Sequence, residues 1–221
     1  AVPASASLIY QTEIDLGATG LGNVLTVLTL QDSPTELGCV RYTASGDALG
    51  GACPGGFTGG DEKTQSLTRA ISSLTGITQA SDLAIIFNAN EPTTANSITL
   101  NTLVLTFYTS GGTVINSYTF TGPRVFDGDN GGTGGAGYVF RLDYDQALNA
   151  QALAFTGVSF GDNRIGLSAS ISDASGSNET FFIARMSNPD LNPVPEPVTF
   201  LTMGAGLLGI ALYLRRRRAT N

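Results

Sequence analysis

Residues 198–214 carry no charge, and four consecutive arginines, Arg215, Arg216, Arg217 and Arg218, close them off. This constrains the chain more than anything else in it. A segment that is apolar on every side has no wet stripe and is not a surface helix of a water-soluble body. Its 17 residues reach roughly 25 Å as a helix, the short limit for a hydrocarbon core of about 30 Å. Eight of them are Val, Leu, Ile or Phe, which together favour insertion by about 4 kcal/mol before other residues are counted. Gly204, Gly206, Gly209, Thr199 and Thr202 erode that figure. We expect a C-terminal transmembrane helix over 198–214 whose insertion is favourable but modest. The arginines form a basic cytoplasmic tail over 215–221, and everything before Pro197 lies across the membrane. Hydropathy alone leaves open whether the span is permanent or temporary.

The residues ahead of the span bear on that choice. Pro193, Pro195 and Pro197 alternate, which removes backbone donors and enforces an extended, solvated stalk over 187–197. Glu196 sits between two of the prolines, just outside the expected bilayer, where a processing enzyme can read it. Val194-Pro195-Glu196-Pro197, a short Gly/Leu-rich span and a terminal arginine cluster resemble, in that order, the PEP-CTERM sorting signal of Gram-negative bacteria. The resemblance implies recognition by an exosortase, a membrane-embedded cysteine transpeptidase, and removal of the tail near Pro195, Glu196 and Pro197. A temporary hydrophobic tail follows the same logic as a lipid-anchor signal. The resemblance also implies association with extracellular polysaccharide and biofilm.

The remainder of the chain is consistent with export. Ala4-Ser5-Ala6 resembles the small-residue end of a signal peptide, and an export signal ahead of Ala1 is expected. Eighteen acidic residues against seven basic ones leave the part before the span with a net charge of −11. Such a surface excludes nucleic acid as a partner and suits divalent cations or a hydrated polysaccharide. Cys39 and Cys53 are the two cysteines, and an oxidising compartment makes a disulfide between them the expected state. With no histidine in the chain, two isolated cysteines do not complete a metal site.

Strand signals fill residues 1–186. Leu8, Tyr10, Thr12, Ile14 and Leu16 alternate with polar residues, and Val24–Leu30, Leu37–Thr43, Asp82–Asn88 and Thr113–Phe120 are further strands. Within Ile98–Tyr108 the apolar phase shifts, so a bulge near Asn101-Thr102 is required to keep one face apolar. Tyr138–Leu142, Ile165–Ile171 and Thr180–Met186 complete the set. Leu67, Ala70, Ile71 and Leu74 recur at helical spacing after Asp61-Glu62, predicting a short helix. Asp143 with Gln146 three residues on predicts a capped helix to about Leu153. The expected architecture is all-β: a single antiparallel β-sandwich of jelly-roll or immunoglobulin-like type with two short helices. Three of its segments, 100–108, 137–143 and 163–183, resemble PEP-CTERM ectodomains, which adds no catalytic assignment.

Chemistry is sparse. Without histidine, His-based nucleophile and metal arrangements are excluded. Carboxylate pairs for glycoside hydrolysis are conceivable at Asp143 with Asp145 or Asp61 with Glu62. Helix caps account for Asp61 and Asp143 equally well. Asp127, Asp129 and Asn130 offer hard oxygen donors in a glycine-rich loop suited to Ca²⁺, though the spacing fails the EF-hand pattern. A solvated turn explains them better. Tyr42, Tyr108 and Tyr118 are candidate sugar contacts, whereas Phe107, Phe120, Phe140 and Phe182 fall on alternating core positions. The sequence thus favours a non-enzymatic exported protein without a cofactor, whose partners are exosortase, membrane lipid and extracellular polysaccharide. A carbohydrate- or calcium-dependent binding module and a carboxylate-dependent hydrolase are the alternatives.

Overall fold

The computed structural model describes residues 8–15, 25–90, 97–126, 136–175 and 177–186. The chain divides into two units, Ala1–Ser187 and Asn188–Asn221, and every described residue lies in the first. The stalk, the span and its arginines therefore fall outside the described residues, as do Asp127, Asp129 and Asn130. Among the described residues no helix is long and apolar enough to cross a membrane.

Thirteen strands are described: β1 (Ile9–Asp15), β2 (Leu25–Leu30), β3 (Thr35–Thr43), β4 (Gly46–Leu49), β5 (Gly51–Ala52), β6 (Thr58–Gly59), β7 (Arg69–Ala70), β8 (Leu83–Ala89), β9 (Ile98–Tyr108), β10 (Val114–Phe126), β11 (Ala136–Arg141), β12 (Arg164–Ser172) and β13 (Glu179–Arg185). One α-helix, α1 (Tyr144–Ala154), and three short 3-10 turns accompany them. Five strands form one antiparallel sheet in the order β1-β11-β8-β13-β2. A second antiparallel sheet runs β10-β9-β12-β3-β4, with β7 also paired to β12. β5 and β6 form a separate two-stranded ribbon.

Aromatic residues of the two sheets contact one another. Phe126 of β10 lies 5.4 Å from Tyr10, 4.1 Å from Tyr138 and 6.0 Å from Phe87 in ring centroids. Phe120 of β10 meets Phe140 of β11 at 5.1 Å. Such tilted and edge-on pairs add about 0.5–1.5 kcal/mol each beyond the area they bury. The phase shift anticipated in β9 is present: Thr102 pairs with Ser170 and Leu100 with Ile171, so Asn101 is the extra residue. That bulge lets Ile98, Leu100, Leu103, Leu105 and Phe107 all be buried.

Both flanks of this assembly are tied. On one, the Leu8 amide donates to the Thr119 carbonyl at 3.0 Å, and the Arg124 guanidinium lies 3.7 Å from the Tyr10 ring centre. On the other, the chain from Asp61 to Leu67 runs along the outer edge of β2. Lys63 N–H donates to Thr29 O, Leu67 N–H to Val27 O and Gln31 N–H to Asp61 O, at 2.9–3.1 Å. The Ser66 hydroxyl accepts from the Thr29 amide, and Arg69 donates to Thr26 O.

That course corrects the helix expected over residues 67–74. Leu67 is 41% exposed, while Ser66 and Thr68 are buried, so the segment alternates as extended chain does. It forms β7 and then one 3-10 turn, Ile71–Ser73. Asp61 caps nothing there, and its carboxylate instead accepts the Leu37 amide at 2.7 Å. The described residues of this domain therefore hold one α-helix where two short helices were expected.

Candidate functional site

The described domain ends at Met186, and its exit is built from buried groups. β11 places Arg141 where only 1% of the residue is exposed. Its Nη2 donates to the Ser81 carbonyl at 2.7 Å and to the Met186 carbonyl. The Met186 amide donates to the Asp82 carbonyl at 2.9 Å. Both backbone polar groups of Met186 are thus held by the domain. Hydrogen bonds from a charged donor are worth about 1.5–3 kcal/mol each, which is how so large a cation is tolerated in the interior.

The 3-10 turn Ala80–Asp82 that receives Met186 also carries α1, because the Ala80 amide donates to Gln151 Oε1 at 2.9 Å. α1 starts where the sequence predicts. Asp143 accepts the Gln146 amide at 2.7 Å, and Gln146 reciprocates to the Asp143 amide at 3.1 Å. Alanines make the helix intrinsically favourable. They also form its inward face: Ala147, Ala150 and Ala154 are buried with Gln146. Its large apolar residues, Tyr144, Leu148 and Leu153, are 46–52% exposed. The helix is therefore inverted relative to an ordinary surface helix, small inside and large outside.

α1 is fastened to β10 by polar side chains. Tyr118 Oη donates to Asn149 Oδ1 at 2.8 Å, and the Asn116 amide donates to the same oxygen at 2.6 Å. Burial pushes the Tyr118 hydroxyl up from its ordinary pKa of 10.0 to about 12, against the lowering influence of the Asn116 hydrogen bond. Tyr108 is raised too, again chiefly by burial.

Cys39 and Cys53 form the expected disulfide, with their Cα atoms 5.8 Å apart. It fixes the loop that leads into the segment along β2. Glu62 is bridged to Leu30 there, and its carboxylate fits among glycines. A Cβ added at Gly38 would lie 2.8 Å from Glu62 Oε2, and one at Gly59 3.2 Å from it.

The candidate carboxylates are not brought together as a pair of facing acids. Asp143 is the cap of α1, Asp145 lies in its exposed first turn, and Asp61 is bound to β3. Asp47 holds the Thr68 amide at 3.1 Å and lies 3.9 Å from Arg164. Tyr108 and Tyr118 are 3% and 2% exposed, which removes them as sugar contacts. Tyr42 lies beneath the Arg164 guanidinium, 4.4 Å from it. Phe107 and Phe140 are buried as expected, while Phe120 and Phe182 are half-buried. Among the described residues, no group of three or more His, Cys, Asp or Glu is placed to hold a metal ion. Sequence reasoning overlooked Arg141, whose only signal was that Val139, on the same strand phase, is apolar. It also overlooked Glu36 and Glu179, both fully buried at the starts of β3 and β13.

Comparison with known protein families matches residues 193–218 to the PEP-CTERM protein-sorting motif. No curated protein and no solved structure matches the chain. The motif contains Pro195, Glu196, Pro197 and all four arginines. The chain thus carries the sorting signal of exported, envelope-associated proteins that an exosortase processes. That signal begins seven residues beyond Met186.

Proposed function

We propose that this is a non-enzymatic exported protein, held in the membrane through residues 198–214 until an exosortase cuts near Pro195, Glu196 and Pro197. The N-terminal domain faces away from the cytoplasm and passes to the envelope, surface or extracellular polysaccharide matrix. The sorting motif at residues 193–218 is the observation that carries this reading. The disulfide agrees with an oxidising compartment, and the aromatic contacts between the sheets support a single antiparallel β-sandwich. Asp61 and Asp143 have structural roles, which supports a non-catalytic domain. The reading assigns no resident cofactor. A calcium titration that raised the melting temperature of the parent but not of a variant carrying Asp127→Asn and Asp129→Asn would instead give the ion to Asp127, Asp129 and Asn130.

The test is mass analysis of the protein isolated from its host, beside an exosortase-deficient strain. The reading requires loss of Arg215–Arg218 only where the exosortase is present. Mature protein that keeps the four arginines would overturn sorting and leave a permanent tail anchor.

A further inference from the structure

The geometry points to a second membrane contact: the outward face of α1 rests on the bilayer interface while the chain is still tethered. This rests on the reading of residues 198–214 as a membrane span.

Three observations converge. First, α1 turns Tyr144, Leu148 and Leu153 outward and only alanines and Gln146 inward, and Val158 just after it is fully exposed. Packing within the domain does not explain that arrangement, since the helix is held by its alanine face and by Asn149. Second, the exposed apolar residues gather at one end. Ile9 pairs with Arg141, where β11 leads into α1, and Val114 opens β10, whose Asn116 and Tyr118 bind Asn149 of α1, so both lie at the end where α1 sits. Among the described residues, six of the nine exposed large hydrophobics (Ile9, Val114, Tyr144, Leu148, Leu153 and Val158) belong to this end and its helix. Third, the chain leaves from here: Met186 is bound to Asp82, in the turn that also binds α1. Eleven residues, 187–197, separate Met186 from the span, and fully extended they reach at most about 40 Å.

The occupant this face fits is the headgroup–acyl boundary of a lipid bilayer. Tyrosine is enriched there because its ring is apolar and its hydroxyl wet. An interfacial helix sinks its apolar side about 5–10 Å into that boundary. α1 contains no lysine or arginine and one acid, Asp145, so the contact depends on apolar area and not on anionic lipid. Removal of the tail would release the domain, because a face of this size does not anchor by itself.

The absence of tryptophan from the chain permits a clean test. Full-length chain carrying Leu148→Trp, and separately Val125→Trp at the opposite end of β10, is reconstituted into phosphatidylcholine vesicles with and without brominated lipid. We expect the Leu148→Trp emission to be blue-shifted and to lose about half its intensity to brominated lipid, as suits a residue 5–10 Å inside the boundary. The Val125→Trp emission should be unaffected. Vesicle flotation separates the two claims. A chain that floats while Leu148→Trp stays unquenched overturns the α1 contact alone. Blue-shifted emission without lipid quenching overturns it in favour of contact between copies. A chain that does not float overturns the tether and this inference together.

Discussion

The guanidinium of Arg141 holds the carbonyl of Met186, the last described residue before the proline-rich segment. A charged donor buried in the domain thus holds a residue seven positions ahead of the sorting motif. Arg141→Met should leave the Ser81 and Met186 carbonyls without this donor and cost about 3 kcal/mol. It should also make the chain near Met186 sensitive to limited proteolysis. Urea unfolding and mapping of the first cleavage sites check both. A variant as stable and as protease-resistant as the parent would remove Arg141 from this role.

Asp143 separates a structural from a catalytic account of the same carboxylate. As the cap of α1, its replacement by alanine should cost about 1 kcal/mol, and by asparagine only a few tenths, because asparagine caps equally well. Thermal unfolding of the two variants distinguishes them. Equal losses for both would mean that the charge, and not the cap, matters there.

Tyr118 gives the domain a defined alkaline weakness. Its folded pKa is raised to about 12 from 10.0, so the unfolded chain releases this proton first. The contribution is intact below the unfolded value of about 10 and is lost as pH rises towards 12. At roughly 1.4 kcal/mol per unit, discounted for screening by solvent, the parent should lose about 2 kcal/mol more across that window than Tyr118→Phe. At neutral pH the variant should be weaker by about 1 kcal/mol, having lost the bond to Asn149. Parallel stability–pH curves for parent and variant would contradict the assignment.

Replacing both cysteines, Cys39→Ser with Cys53→Ser, should cost about 3 kcal/mol for a loop of this length. The effect should be local as well as global. Amides of Gln31, Lys63 and Leu67, which join the loop segment to β2, should exchange with solvent sooner than those of the central strand β8. Hydrogen exchange read by mass spectrometry reports this. Uniform acceleration across both sheets would show that the disulfide acts on the whole domain only.

Much of the strand pattern was legible because most strands place apolar side chains on alternate positions. The Asn101 bulge could be inferred because Ile98 and Leu100 are out of phase with Leu103 and Leu105. The Asp143–Gln146 box was readable because capping is local. Residues 66–70 misled for the opposite reason: their buried positions are Ser66 and Thr68. The inward alternation is polar, and Leu67, Ala70 and Ile71 were left to mimic a helix. Arg141 was hidden in the same way, since its acceptors Ser81 and Met186 are distant in sequence. The sorting motif was plain at once, because it depends on residue order and not on contacts.

The segment along β2 has a consequence for crowding. A bare outer strand is a template on which another chain can add as a further strand. Here the amides and carbonyls at Val27, Thr29 and Gln31 are already engaged by Asp61, Lys63, Ser66 and Leu67. A second copy meeting the domain at β2 would do so through side chains, with no sheet to share there. The Cys39–Cys53 bond closes the loop that leads into this stretch of chain, and so helps to keep β2 covered.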